Sequence, residues 1–235
     1  MTEEPFPVVR HALVVVAHPD DESFGLGGVL DVLVRGGAEV SVLCFTHGEA
    51  STLHGGGTGD LFRIRQAELA AAAGALGVGH TRLLSYPDGA LSSVALDELV
   101  ARVRAVAAEL RPSCLVAFDE GGVTGHRDHA HATAAAVTAG TLLGLPVFGW
   151  TVPDGVARAL NAEFGTAFTG RPAEEIDWTV PVDRARQWRA IAAHVSQSAD
   201  NPVLRERLRL LGDTEHLLVL RPGPATTDQG PDSPG

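Results

Sequence analysis

Four runs of apolar residues, separated by stretches with helical spacing, leave this chain few folds to choose from. They are Leu13 to Ala17, Glu39 to Thr46, Ser113 to Phe118 and Val147 to Trp150, with a shorter run at Arg82 to Ser85. The intervening helical patterns cover Leu26 to Val34, Leu61 to Leu76, Leu96 to Leu110 and about Asp128 to Leu143. A strand apolar on both faces needs cover on both faces. Alternating strands and helices therefore predict an α/β fold with a mostly parallel sheet between two helical layers. Val152 to Pro181 reads less clearly, as a cover with one antiparallel edge strand at Trp178 to Val182. Helices are expected at Arg184 to His194 and Leu204 to Leu211, and a last strand at His216 to Leu220. Residues 1–220 thus read as a single domain of ordinary size, and 221–235, rich in Pro, Gly, Thr and Asp, as a disordered tail.

Charge and residue usage exclude several functions. The formal net charge is −11, which argues against a nucleic-acid backbone or an anionic membrane surface as partner. Every basic side chain is Arg, so a Lys Schiff base or Lys general base is excluded. Cys44 and Cys114 both fall in apolar runs and read as core residues, consistent with a reducing cytoplasm. No signal peptide is expected from Met1 to Arg10, and no run reaches the ~18 apolar residues of a membrane span.

The chemistry sits where two strands end. The first run leads into Ala17-His18-Pro19-Asp20-Asp21-Glu22, and the run ending at Phe118 leads into Gly125-His126-Arg127-Asp128-His129. Ligands of open α/β sheets bind at such carboxyl ends. Adjacent carboxylates in a cleft repel one another, and a divalent metal relieves the conflict, with His and Asp as good ligands. Three protein ligands with an open position for water make a catalytic centre. His18, Asp21 and His129 are assigned as ligands, although spacing alone does not choose between His126 and His129. Asp20 is then placed to take a proton from an attacking water. His126 can stabilise an oxyanion or protonate a leaving amine, with Asp128 holding its tautomer. Capped helix starts would account for either cluster alone, but poorly for both together.

These two motifs, in this order, resemble the PIG-L/LmbE-like family of zinc-dependent N-acetylglucosaminyl deacetylases. Weaker similarities extend over most of the chain: Thr46-His47-Gly48-Glu49, Arg65 and Glu68, Tyr86-Pro87-Asp88-Gly89, and His194-Val195-Ser196-Gln197. The resemblance implies a Rossmann-like fold and removal of an N-acyl group from a glucosamine unit. It also implies zinc on His18, Asp21 and His129, Asp20 as base and His126 as acid or oxyanion partner. Ferrous iron is the alternative metal, since His and carboxylate suit both. Arg65, Glu49, Tyr86 and Asp88 are the candidate substrate contacts. The family often carries a Lys before the His-x-Ser-Gln stretch; here Arg184, Arg186 and Arg189 are available. The expected partner is a small N-acyl amino sugar, with self-association left open. Two other readings stand beside this one: an amidase acting on a larger glucosaminyl conjugate, and a metal-stabilised sugar-binding protein without turnover.

The remaining features have plainer readings. Gly25-Leu26-Gly27-Gly28 lacks the spacing of a dinucleotide loop and reads as a helix start packed close to the sheet. The Gly-rich loop from His47 to Asp60 is long enough to be functional, and His47 and His54 within it read as surface residues. Trp150, Trp178 and Trp188 read as packing residues rather than sugar platforms.

Overall fold

A computed structural model describes residues 6–53 and 60–223. In chain order the elements are β1 (His11–Val16), α1 (Asp21–Phe24), α2 (Gly27–Arg35), β2 (Glu39–Thr46), α3 (Leu61–Leu76), β3 (His80–Tyr86), α4 (Leu96–Leu110), β4 (Cys114–Phe118) and α5 (Arg127–Leu143). There follow β5 (Val147–Thr151), α6 (Asp154–Phe164), β6 (Trp178–Pro181), α7 (Ala185–Ala193), α8 (Val195–Ser198), α9 (Pro202–Leu211) and β7 (Thr214–Arg221). The strands form one sheet in the order β3-β2-β1-β4-β5-β7-β6. The first five are parallel, while β7 runs antiparallel to both β5 and β6.

The apolar runs explain this layering. Alternate residues of a strand face opposite sides, so Ala12, Val14 and Val16 enter one core while Leu13 and Val15 enter the other. The first core is closed by Leu26, Val29, Leu30 and Leu33 of α2, Leu69 and Leu76 of α3, Leu160 of α6 and Leu211 of α9. The second is closed by Leu99, Val103 and Val106 of α4 and by Ala132, Ala135, Ala136 and Ala139 of α5. Each large apolar side chain buried in this way stabilises the fold by about 1.5–3 kcal/mol. Cys44 and Cys114 are buried with free thiols.

The strand order places the site. From β1 the chain moves outward through β2 to β3, then crosses back to β4 on the other side of β1. The crevice at the carboxyl ends of β1 and β4 is thus the topological switch point, where open α/β sheets bind ligands. His18 follows β1 there, and His129 follows β4.

Two features differ from the sequence expectation. The unclear stretch from Val152 contains α6, whose apolar face (Ala157, Leu160) is short and interrupted by Arg158 and Asn161. The edge strand β6 does pair antiparallel, but with β7, which inserts between it and β5. A strand order of this kind leaves no local trace in sequence. The expected tail lies outside the described residues from 224 onward, and Arg221 ends β7. His54 and the glycines near it also lie outside them. No helix among the described residues is long and apolar enough to cross a membrane.

Candidate active site

The turn after β1 holds its acids by backbone hydrogen bonds. Asp21 Oδ2 accepts from the backbone N–H groups of Ala17 (3.1 Å) and His18 (2.9 Å). Its Oδ1 lies 3.1 Å from His129 Nε2, and Oδ2 lies 3.7 Å from His18 Nδ1. His18 Nδ1 and His129 Nε2 are themselves 3.1 Å apart. Two imidazole nitrogens and a carboxylate therefore face one point. Burial opposes the charge on Asp21, yet the two facing imidazoles hold its carboxyl below the usual range.

His18 is gripped from its other edge. Its Nε2 lies 3.0 Å from Asp88 Oδ1 and 3.4 Å from Asp128 Oδ2. Burial pulls against a positive ring, but Asp128, Asp88 and Asp21 outweigh it and raise the pKa to about 10. The fixed charges of this crevice thus favour a cation. With Nδ1 aimed at the shared point and Nε2 held by carboxylates, His18 has the tautomer control of a metal-ligating imidazole. Among the described residues, two sets bring ligand atoms close enough for one ion: His18 with His126 and His129, and His18 with Asp88 and Asp128. The first overlaps the expected set in His18 and His129. Asp21 belongs beside it, because it touches both rings directly. The donor set is that of a site for a divalent metal of borderline hardness.

Asp20 stands next to this cluster in a strained backbone conformation, φ 120° and ψ −28°. Such a conformation costs of order 1–3 kcal/mol and persists only where its surroundings enforce it. They do so from two sides. The Asp20 backbone N–H donates to Glu22 Oε2 (3.0 Å), and Glu22 Oε1 lies 2.7 Å from His194 Nε2 in a fully buried pair. On the other side, Arg65 Nη2 donates to Asp20 Oδ2 at 2.9 Å and to the Pro19 carbonyl, while Nη1 donates to the Gly48 carbonyl at 2.6 Å. Gly48 has φ 66°, and a Cβ there would lie 1.8 Å from Arg65 Nη1, so the guanidinium occupies the space its missing side chain leaves. Burial raises the Asp20 pKa to about 6 against the pull of Arg65.

His126 caps α5, accepting the Asp128 backbone N–H at Nδ1 (3.2 Å). An acceptor at Nδ1 puts the proton of the neutral ring on Nε2. The residue is exposed on one side while its ring stands edge-on to His18 at 4.7 Å between centroids, and partial desolvation there, with the neighbouring His18 and His129, lowers its pKa. Asp128 does not hold His126 as the sequence suggested. Its carboxylate is fully buried, accepts from Gly89 N (2.9 Å) and Leu91 N (3.0 Å), and faces His18. The first turn of a helix aims a side chain by packing, which residue spacing does not reveal.

These groups line a cavity of about 480 Å³. His18, Asp20, Asp21, His126 and His129 form one end, and Phe24, Phe118 and Phe168 supply apolar wall. Phe168 lies on a strap over the α5 start, fastened by Arg171, which grips Asp119 through Nε (2.6 Å) and Nη2 (2.8 Å). Of the expected substrate contacts, Arg65 and Asp88 line the cavity, but Arg65 is engaged with Asp20 and Asp88 with His18. Glu49 is exposed and accepts the Asp88 N–H (3.1 Å), so it braces the loop. Tyr86 is a correction: its hydroxyl donates to Glu98 (2.8 Å) and accepts from Arg102 (3.1 Å), and it does not line the cavity. Alternation along β3 turns it to the far face. His47 is buried and stacked on Phe62 rather than on the surface, and Trp150 is core. Arg184 is bound to Glu215, Gln187 and two carbonyls, also away from the cavity. The Glu22–His194 pair and Arg207, a cavity residue on α9, carried no assigned role in the sequence.

Comparison with known proteins agrees with this architecture. Residues 13–140 match the family described as GlcNAc-PI de-N-acetylase, PIG-L. The 1D-myo-inositol 2-acetamido-2-deoxy-alpha-D-glucopyranoside deacetylase of Salinispora arenicola is 30% identical, over 82% of this chain and 77% of that protein. Among solved structures, GalB, the 4-carboxy-2-hydroxymuconate hydratase of Pseudomonas putida KT2440, has a TM-score of 0.69 at 17% identity, covering 91% of this chain and 97% of its own. The zinc-inhibited form of teicoplanin deacetylase Orf2 has a TM-score of 0.68 at 18% identity, covering 89% and 97%. At such identities the two structures speak for the fold alone, and their differing chemistries show that the fold does not set the reaction. Match, fold and switch-point site together place the chain in the PIG-L family.

Proposed function

We propose that this protein is a metal-dependent hydrolase that removes an N-acyl group, acetyl in the simplest case, from a glucosamine-type substrate. The observation that carries the reading is the pairing of two clusters at one point. His18, Asp21 and His129 converge, and Asp20 and His126 stand beside them in a shared cavity. The family and the Salinispora relative's name support the substrate class.

His18, Asp21 and His129 would hold the metal. Bound there, a divalent ion polarises the acyl carbonyl and makes water more acidic. The chain's own groups do the rest. Asp20, oriented by Arg65, accepts the proton of the attacking water. His126, its proton on Nε2, donates a hydrogen bond to the carbonyl oxygen as charge develops, and Asp20 returns the proton it took from water to the departing amine. Asp88 and Asp128 fix His18. Water adds to the acyl carbon, the C–N bond breaks, and a carboxylate and an amine leave. Zinc is the proposed ion, with ferrous iron the alternative. Buried, unpaired Cys44 and Cys114 support a cytoplasmic setting.

The test is release of free amine from N-acetylglucosamine derivatives by metal-loaded and chelator-treated protein. Chelator-sensitive release supports the reading. Ligand binding without release from any derivative by protein shown to contain metal favours a binding role instead.

A further inference from the structure

One buried cation on the cavity wall has no ion-pair partner among the described residues. Arg207 is 5% exposed, on α9, three residues past Leu204, and both line the cavity. Its Nη2 donates to the Phe24 carbonyl at 2.6 Å, and its guanidinium lies 5.2 Å from the Trp150 ring centroid. No carboxylate among the described residues comes within 4.0 Å of it. The carboxylates that act on it from further off are already engaged: Glu215 through Oε1 with Arg184 at 2.5 Å and Oε2 with Trp150 Nε1 at 2.7 Å, Asp20 with Arg65, and Asp21 with His18 and His129. Burial depresses the Arg207 pKa to about 10 despite Glu215, Asp21 and Asp20. Its Nε is shut away with no partner, whereas Nη1, without a partner among the described residues, is not among the enclosed atoms.

A structural role explains Nη2 and the ring face. It does not explain why a cation, and not a neutral donor, lines a substrate cavity beside Val203, Leu204 and Phe24. Burying an unpaired charge is costly, and the cost is met when a ligand supplies the opposite charge. The geometry points to Arg207 as a specificity residue that binds an anionic group, a carboxylate or phosphate, carried by the substrate away from the scissile amide and across an apolar stretch. This rests on the deacetylase reading for the amide itself. The anion can sit on the aglycone or at the far end of the acyl group, and the experiment separates these.

The assay compares kcat/KM for neutral N-acetylglucosamine with two anionic substrates: a glucosaminide of a hydroxy acid, N-acetylated, and N-succinylglucosamine. Wild type is expected to prefer one anionic substrate roughly 10- to 100-fold, the range of a charged hydrogen bond. Arg207→Gln should bring that ratio close to one, and Arg207→Lys should keep part of it. The ratio is internal to each variant, so a partly folded sample does not mimic the result. Equal rates on all three substrates by wild type, or a preference unchanged in Arg207→Gln, would overturn the inference while leaving the deacetylase reading intact. Should wild type release no amine at all, calorimetric binding of the same compounds decides. Tighter binding of an anionic compound, lost in Arg207→Gln, upholds the anion site without the deacetylase, and equal binding overturns it. If Arg207→Gln does not fold, Arg207→Lys and the salt sensitivity of the wild-type preference take its place. A preference that neither Lys nor salt weakens overturns the proposal.

Discussion

Replacing Arg65 by Met tests how Asp20 is held. The side chain is 3% exposed and its guanidinium serves three acceptors: the Gly48 carbonyl, the Pro19 carbonyl and Asp20 Oδ2. Met fills similar space but donates to none of them. Each buried acceptor left without a partner costs about 1–3 kcal/mol, and Met regains part of this through apolar burial, so a net loss of about 3–5 kcal/mol is expected. For a chain of this size that lowers Tm by roughly 6–20 °C. Asp20 also loses a charge-assisted hydrogen bond worth about 1.5–3 kcal/mol, so kcat should fall roughly 10- to 150-fold if its orientation matters in the transition state. Gly48→Ala is the companion variant. It keeps the guanidinium but places a Cβ 1.8 Å from its Nη1, at a φ of 66° that disfavours any side chain. Both variants are read by calorimetry and by amine release at saturating substrate. Arg65→Met with unchanged Tm and kcat would refute the claim that Arg65 positions the base.

Three further outcomes follow from the same geometry. The buried Glu22–His194 pair should shape stability against pH. Burial opposes both charges, yet each partner outweighs it for the other, so His194 rises above 6.5 and Glu22 falls below 4.5. The pair's contribution is therefore whole between about pH 4.5 and 6.5. It is lost as pH rises through the raised His194 value or falls through the lowered Glu22 value. His194→Gln should cost about 3–5 kcal/mol and flatten the alkaline limb of Tm against pH; an unchanged limb contradicts the assignment. Arg171→Ala should loosen the strap carrying Phe168, raising KM more than it lowers kcat in steady-state kinetics. Tyr86→Phe should leave kcat/KM unchanged, because the hydroxyl faces Glu98 and Arg102 outside the cavity.

The fold was legible wherever a strand is buried on both faces. Leu13 to Val16 and Cys114 to Phe118 are continuous apolar runs, and a run of that kind between helices has one sensible home. α6 and the β7 insertion were not legible, since a short interrupted apolar face and a strand order depend on distant contacts. In the site, the positions of His18, Asp20, Asp21 and His129 followed from motifs at two strand ends. Their partners did not. Asp88 on His18, and Glu22 on His194 172 residues away, are meetings made by the fold. Arg207 carried one readable sign. It falls on the buried stripe of α9 with Leu204, Leu208 and Leu211, while Arg205 and Arg209 face solvent. A charge on an apolar stripe is a charge with a task.

The central claim is that the metal cluster and the base are separate parts of one site. Asp20→Asn tests it most directly, with metal content and amine release measured on the same sample. The account predicts that the variant keeps the wild-type metal stoichiometry while its amine release falls by roughly 100-fold or more, the scale of a lost general base. Release at the wild-type rate, or loss of the metal together with the activity, would contradict it.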